Sequence, residues 1–266
     1  MMIACTRMYN VNECVNALWR ELLELVAMRA DVEFKVIAHA APAPLDTLWE
    51  RDDILCAFMC GWPFHQANPP PQIVAAPIPA GGQCEGPQYC TNMIVRADSP
   101  FSRLEDTFGG RIAWTEEGSH SGFNAPRRLL ADYAMGYPLY TASIGPTITP
   151  RASLNAVLEG GVDIAPLDSY FHMLLMKHEP ETAARIRVLA RSLCAPIPVL
   201  VAAPTAPTQV VACLGAAFEQ LAEDADARDL LDALSLAGFT RPDPRNYALT
   251  NRWAEEALAT NYPRPA

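Results

Sequence analysis

The chain has 266 residues, half of them hydrophobic, with 20 basic against 30 acidic side chains and a formal charge of −10. That apolar content supports a core in one large or two modest domains. Nothing more basic than Arg127-Arg128 occurs, which argues against nucleic acid as a partner, and no apolar run is long enough to insert into a membrane.

Strands and helices alternate from the start. Residues 2–8 read as an opening strand, and 12–28 as a helix with Val15, Leu18, Trp19, Leu22, Leu25 and Val26 along one side. A strand over 34–38 and a helix over 42–53, entered through Pro42 and Pro44, come next. The run 54–59 is wholly apolar and ends in Cys60-Gly61-Trp62-Pro63, the pattern of a buried parallel strand entering a turn. A Pro-rich loop over 66–72 leads to a strand at 73–78, a Gly/Pro loop at 79–88, then Tyr89 and a strand over 91–96. Beyond a short helix at 102–106, residues 111–114 form a strand that feeds Gly118-Ser119-His120-Ser121-Gly122, with a helix starting near Asn124 or Ala125. The remaining order is a strand at 138–143, a helix at 151–159, a strand at 162–165, a helix from Asp168, strands at 186–190 and 197–202, and helices near 208–222 and 226–236. Repeated βα units imply an α/β fold with mostly parallel sheets.

The segment from Arg111 to Leu130 carries the most chemistry. A strand running into a Ser/Gly turn that opens a helix gathers hydroxyls and unpaired backbone N–H groups at the positive end of the helix dipole, which suits an anion. The alternative is that Ser121 or Asn124 only caps the helix. Ligands of open α/β sheets bind beyond the carboxyl ends of strands, so the turns at Tyr9-Asn10, 60–63, 118–122 and 166–170 matter most. None carries a dinucleotide fingerprint or a P-loop.

Of eight cysteines, Cys56 and Cys60 have neither redox nor zinc spacing, and no metal or cofactor is expected. Cys84 and Cys90 flank a loop and can close a small disulfide in an oxidising compartment. The N-terminus lacks the features of a signal peptide, so the chain is either cytoplasmic or has had its signal removed.

In order, the chain shows M-Y-N after the first strand, C-G-W-P, Y-x-x-N-M-I-V-R, L-E-D-T-F-G-G-R-I-A-W, S-H-S-G-F-N-A-P-R and R-A-S-L-N-A-V-L-E-G-G-V-D-I-A-P-L-D. Over residues 3–202 this set resembles the phosphate/phosphonate-type solute-binding proteins of ABC importers, which have the type II periplasmic-binding fold. The resemblance implies two α/β lobes, each a mixed, mostly parallel sheet flanked by helices, closing around a small ligand. Lobe one would be 1–93 with 198–266 and lobe two 94–197, hinged near Pro196-Ile197-Pro198. It further implies that Ser119 and Ser121 donate to an oxyanion, that Tyr9 and Tyr89 close over the ligand, and that Trp62 lines the site from the Cys60–Pro63 turn. Ordinary aromatic packing is the alternative for both tyrosines.

The chain departs from that pattern at three places. Pro150 stands where the phosphonate receptors have a histidine, Tyr170 where they have a glutamate, and Ile197 where they have an aspartate. Thr149 is the candidate to replace the histidine, while Asp168 either faces the ligand or caps the helix after it. His120 is read either as a cationic donor to the ligand or as a solvent-facing or capping residue. A donor set of this kind with one acceptor carboxylate favours protonated or zwitterionic ligands and repels sulfate-like ones. The expected function is capture of a small anionic or zwitterionic ligand, a phosphonate- or phosphate-like oxyanion or related polar metabolite, for an ABC permease, in the periplasm by resemblance and without catalysis. The alternatives are a cytosolic enzyme on the same fold, such as a menaquinone-pathway dehydratase using Asp168, His120 and Glu116 or Glu117, and a cytoplasmic ligand sensor.

Overall fold

The computed structural model describes residues 1–266 as two compact units. The first comprises 1–88 and 196–247, and the second 89–195 and 248–266. The chain thus changes unit three times, and the expected boundaries after 93 and 197 fall a few residues late. The larger difference is the C-terminal segment, expected in lobe one, which belongs to the second unit. Its helix Ala248–Ala259 buries Trp253, Ala254 and Ala257, and Ala257 and Tyr262 enter the second unit's core beside Leu130 and Ile164.

The first unit is built on one six-stranded sheet in the order Leu236–Thr240, Gln72–Pro79, Val199–Ala202, Ile54–Met59, Ile3–Cys5, Lys35–Ile37. Ile3–Cys5 pairs in parallel with both Lys35–Ile37 and Ile54–Met59. The returning strand Val199–Ala202 is inserted antiparallel between Ile54–Met59 and Gln72–Pro79, so four of the strands still run one way. All six residues of Ile54–Met59 are buried, as a strand covered on both faces requires. The helix Glu13–Ala30 packs Val15, Trp19, Leu22, Leu23 and Val26 inward, one stripe at helical spacing. The Asn12 side chain accepts from the Val15 N–H at 2.9 Å to start it, and Asp31 at φ 54° ends it.

The second unit repeats the device on a smaller scale. Thr91–Arg96 runs antiparallel between Ile186–Arg191 and Ala165–Asp168. Arg111–Ala113 pairs in parallel with Ala142–Ile144, and a parallel bridge from Ile112 to Ile164 sets both alongside Ala165–Asp168.

Several elements differ from the sequence reading. The helix expected over 42–53 is confined to Leu45–Trp49, with Pro44 extended as its N-cap and Glu50 as its C-cap. The Cys60–Pro63 turn is itself the entry to a short helix, Gly61–Gln66; Pro63 is tolerated there because a first-turn N–H has no helical acceptor. The helix expected over 226–236 is shortened to Arg228–Ala233 and followed by the strand Leu236–Thr240. Cys90 is a buried free thiol, so the expected Cys84–Cys90 bridge does not form, although Cys84 is disulfide-bonded.

Candidate functional site

In the second unit the parallel strands Arg111–Ala113, Ala142–Ile144 and Ala165–Asp168 end along one sheet edge, and each leads into a helix: Ala125–Ala134, Pro150–Leu158 and Ser169–His178. Three helix starts therefore share an edge, each with a side chain that caps it.

At the first start the chain does not enter an α-helix directly. Residues His120–Asn124 form a π turn ahead of Ala125–Ala134, closed by the Asn124 N–H to the Ser119 carbonyl at 3.0 Å. The cap is Ser119, whose Oγ accepts from the Gly122 N–H at 3.0 Å, and not Ser121 or Asn124. Capping uses a lone pair of the Ser119 hydroxyl and leaves its proton to donate. The first-turn N–H groups of His120 and Ser121 precede any intrahelical acceptor. Thr115 holds the turn shut, its N–H donating to the Gly122 carbonyl at 3.2 Å. A Cβ at Gly122 would lie 1.9 Å from Thr115 Oγ1, so only glycine fits there.

The other two starts are tied to this one. The Ile148 N–H donates to the Thr115 carbonyl at 3.1 Å, which places Thr149 next to the turn, where its hydroxyl accepts from the Ala152 N–H at 3.1 Å. Thr91 faces Asp168 in the antiparallel register and donates through Oγ1 to the Ser121 carbonyl at 2.9 Å. Asp168 Oδ1 accepts from the Tyr170 and Phe171 N–H groups at 2.8 and 3.0 Å, so the capping reading of this residue holds. Its negative charge occupies the dipole end that an anion would use, and leaves the Ser119 turn as the donor-rich start.

The remaining residues divide. Tyr89 lies with its ring 6.1 Å from that of His120, in the same unit as the serines. Tyr170 is fully buried, and burial with the Asp168 charge pushes its phenol well above the ordinary value. Glu117 is exposed on the turn. Tyr9 and Trp62 belong to the first unit. There Tyr9 is buried edge-on against Phe58 at 5.0 Å, the packing alternative, and Trp62 is half-buried in Gly61–Gln66.

His120 is neither solvent-facing nor cationic. It is 1% exposed, stacked on Trp253 with centroids 5.3 Å apart, and burial alone lowers its pKa to about 3. Its Nδ1 meets the Asn124 amide nitrogen at 3.1 Å. Thr91, Arg127 and Trp253 thus surround the turn without having been singled out in the sequence, and Asn124, considered there only as a cap, joins them. The i, i+3 spacing of Asn124 and Arg127 was a readable signal. Trp253 had none, since it arrives from a distant helix.

Two α/β units, each completed by a returning strand, with a donor-rich turn at strand ends, define a solute-binding class of protein. Over residues 9–247 the chain matches the family described as the periplasmic substrate-binding protein of the phosphonate ABC transporter. The chain belongs to this family, and is a ligand-binding component of an ABC transporter. A binding-protein component of an ABC phosphonate transporter from Pseudomonas aeruginosa superposes with a TM-score of 0.82 at 17% identity, covering 98% of this chain and 88% of that one. PhnD1 from Prochlorococcus marinus, solved with methylphosphonate, gives 0.80 at 14% identity and 98% of each chain. A protein from Xanthomonas citri bound to chloride ion gives 0.70 at 14% identity, again over 98% of each chain. These likenesses carry the two-lobed periplasmic-binding fold. No curated protein sequence matches the chain.

Proposed function

We propose that the Ser119–Gly122 turn holds a small ionised oxyanion of the phosphonate or phosphate type, which the protein delivers to an ABC permease. The observation that carries this reading is the donor set of the turn. Ser119, Ser121 and two first-turn amides lie at one helix start, and glycine is required where the chain closes. The solved relatives hold methylphosphonate in one case and chloride in another, which supports an anion. Thr149 lines the same edge; Tyr89 borders it through His120.

Binding without catalysis is supported by His120, which is buried, bonded to an amide and held neutral by desolvation. The periplasm, the family's compartment, suits a chain with disulfide-bonded Cys84 and Cys194, and no helix is long and apolar enough to cross a membrane.

The test is a thermal-shift and calorimetry panel of phosphate, phosphite, methylphosphonate, sulfate and small carboxylates, run on wild type and on Ser119→Ala/Ser121→Ala. At about a hundredfold excess over Kd, a specific ligand adds roughly 2.7 kcal/mol of stability. A phosphorus oxyanion is expected to give that shift and the double variant to lose it. Equal affinity in the double variant would show that the turn is not the site. Turnover of any stabilising compound would replace the binding reading with an enzymatic one.

A further inference from the structure

Beneath the proposed cradle runs a buried relay from Arg127 through Asn124 to His120. Arg127, 4% exposed, donates from Nη2 to Asn124 Oδ1 at 2.9 Å. A guanidinium can only donate, so the amide oxygen must face it. The Asn124 nitrogen then faces the other way, donating to the Thr250 carbonyl at 2.7 Å and to His120 Nδ1 at 3.1 Å. An amide nitrogen cannot accept, so Nδ1 is the unprotonated ring nitrogen and the proton resides on Nε2. That Nε2 is buried and has no hydrogen-bond partner in the protein. Orphaned buried N–H groups are rare in folded proteins and mark a place where something else supplies the acceptor.

We propose that the Arg127–Asn124–His120 relay locks His120 as a neutral donor whose Nε2–H is satisfied by an acceptor oxygen of the ligand. The inference rests on the cradle reading above and specifies its chemistry. At this point the site can give a hydrogen bond and cannot take one. It therefore favours an ionised oxygen, the strongest acceptor, and rejects a ligand that presents an ammonium there, which can only donate. The groups around the ring agree. Tyr89 and Trp253 lie 6.1 and 5.3 Å from the ring, Arg127 acts through Asn124, and Glu256 on the Trp253 helix is bound to Arg128 at 2.5 Å. No charged side chain contributes to the state of the ring. Across neutral pH, affinity should then follow the ionisation of the ligand and not that of the protein. Asn124 and Arg127 are positioning residues in this scheme.

Long-range 15N–1H NMR of the imidazole, in the ligand-free protein between pH 5.5 and 8.5, is expected to show the Nε2–H tautomer throughout. With saturating phosphate or methylphosphonate the Nε2 proton should move downfield. A ring that titrates in that range, or carries its proton on Nδ1, overturns the proposal. His120→Phe keeps a ring against Trp253 and removes the donor, and should weaken the better of the two probes about tenfold or more. Unchanged affinity in His120→Phe, with binding lost in Ser119→Ala/Ser121→Ala, overturns the relay and leaves the cradle standing. Wild-type affinity in both variants removes the cradle as well, as does absence of binding by either probe. Asn124→Asp supplies a readout that a merely structural role would not move. A carboxylate can only accept, so it demands a proton on Nδ1, and the imidazole should switch tautomer or begin to titrate.

Discussion

The turn after Ile54–Met59 and the turn after Arg111–Ala113 both leave the carboxyl end of a parallel strand and open a helix, yet they are made of opposite materials. The first runs through Cys60, Gly61, Trp62 and Pro63 into Gly61–Gln66, with no side chain capping the helix. The second runs through Ser119, His120, Ser121 and Gly122, has a serine cap, and widens into a π turn. Topology places both where ligands bind. Only the second gathers serine hydroxyls at a helix start, beside a buried polar relay. On the reading proposed above, the position in the fold is permissive, and side-chain chemistry decides which permissive turn is a site.

The comparison breaks most readily at Asn124. Asn124→Ala deletes bonds to the Arg127 guanidinium, the Thr250 carbonyl and His120 at once, and leaves a buried cation short of an acceptor. A loss of about 4 kcal/mol is expected in urea unfolding. A loss below about 1 kcal/mol would mean that the relay is not a stabilising network, and would dissolve the contrast between the turns. Next comes Gly122→Ala, whose methyl group would collide with Thr115 Oγ1 at 1.9 Å and with its Cβ and Cγ2 at 2.8 Å. Overpacking of this kind costs about 2–3 kcal/mol, and oxyanion affinity should vanish with the turn geometry. Retained affinity would show that the closed turn is dispensable.

The pH dependence of stability sharpens the same contrast. His120 is held near pKa 3 in the folded protein against an ordinary value of 6.5, so below 6.5 the unfolded chain binds the proton that the folded chain refuses. Its contribution is fully present above pH 6.5 and is lost as pH falls towards 3. Between pH 6.5 and 5 the loss amounts to about 2 kcal/mol. His172, also lowered by burial and bonded through Nδ1 to the Asn92 amide at 3.1 Å, adds in the same direction. Urea unfolding at the two pH values should show a smaller difference for His120→Phe than for wild type. An equal difference would assign the dependence elsewhere.

The fold was legible because it is written in large apolar residues at regular spacing. The unbroken run 54–59 forms as read, and the first helix buries Val15, Trp19, Leu22 and Val26 as read, with Leu23 buried and Leu18 and Leu25 only half-buried. What was missed is written in small residues or in chain-distant contacts. Leu236–Thr240 is five residues with Gly238 inside, and Ala248–Ala259 buries one large apolar residue, Trp253, with Thr250, Ala254 and Ala257, so neither shows a strong period. The serines of the site were readable as a turn before a helix. The neutrality of His120 was not, because it depends on Trp253 and on the orientation of an amide set by Arg127. Cys84 is likewise disulfide-bonded without Cys90 as its partner, which local spacing could not reveal.

The smallest expected effect lies in the contrasting turn. Pro63 occupies the third position of Gly61–Gln66, where its missing N–H deprives no helical acceptor, because the opening N–H groups of a helix have none. Pro63→Ala therefore removes no hydrogen bond and returns only some freedom to the unfolded chain, worth less than about 1 kcal/mol. Set beside Gly122→Ala, it applies a comparably small change in side-chain volume to the topologically equivalent turn. If Pro63→Ala proved as damaging as Gly122→Ala, position at the strand end would govern tolerance, and the donor chemistry of Ser119–Gly122 would no longer explain why that turn alone resists change.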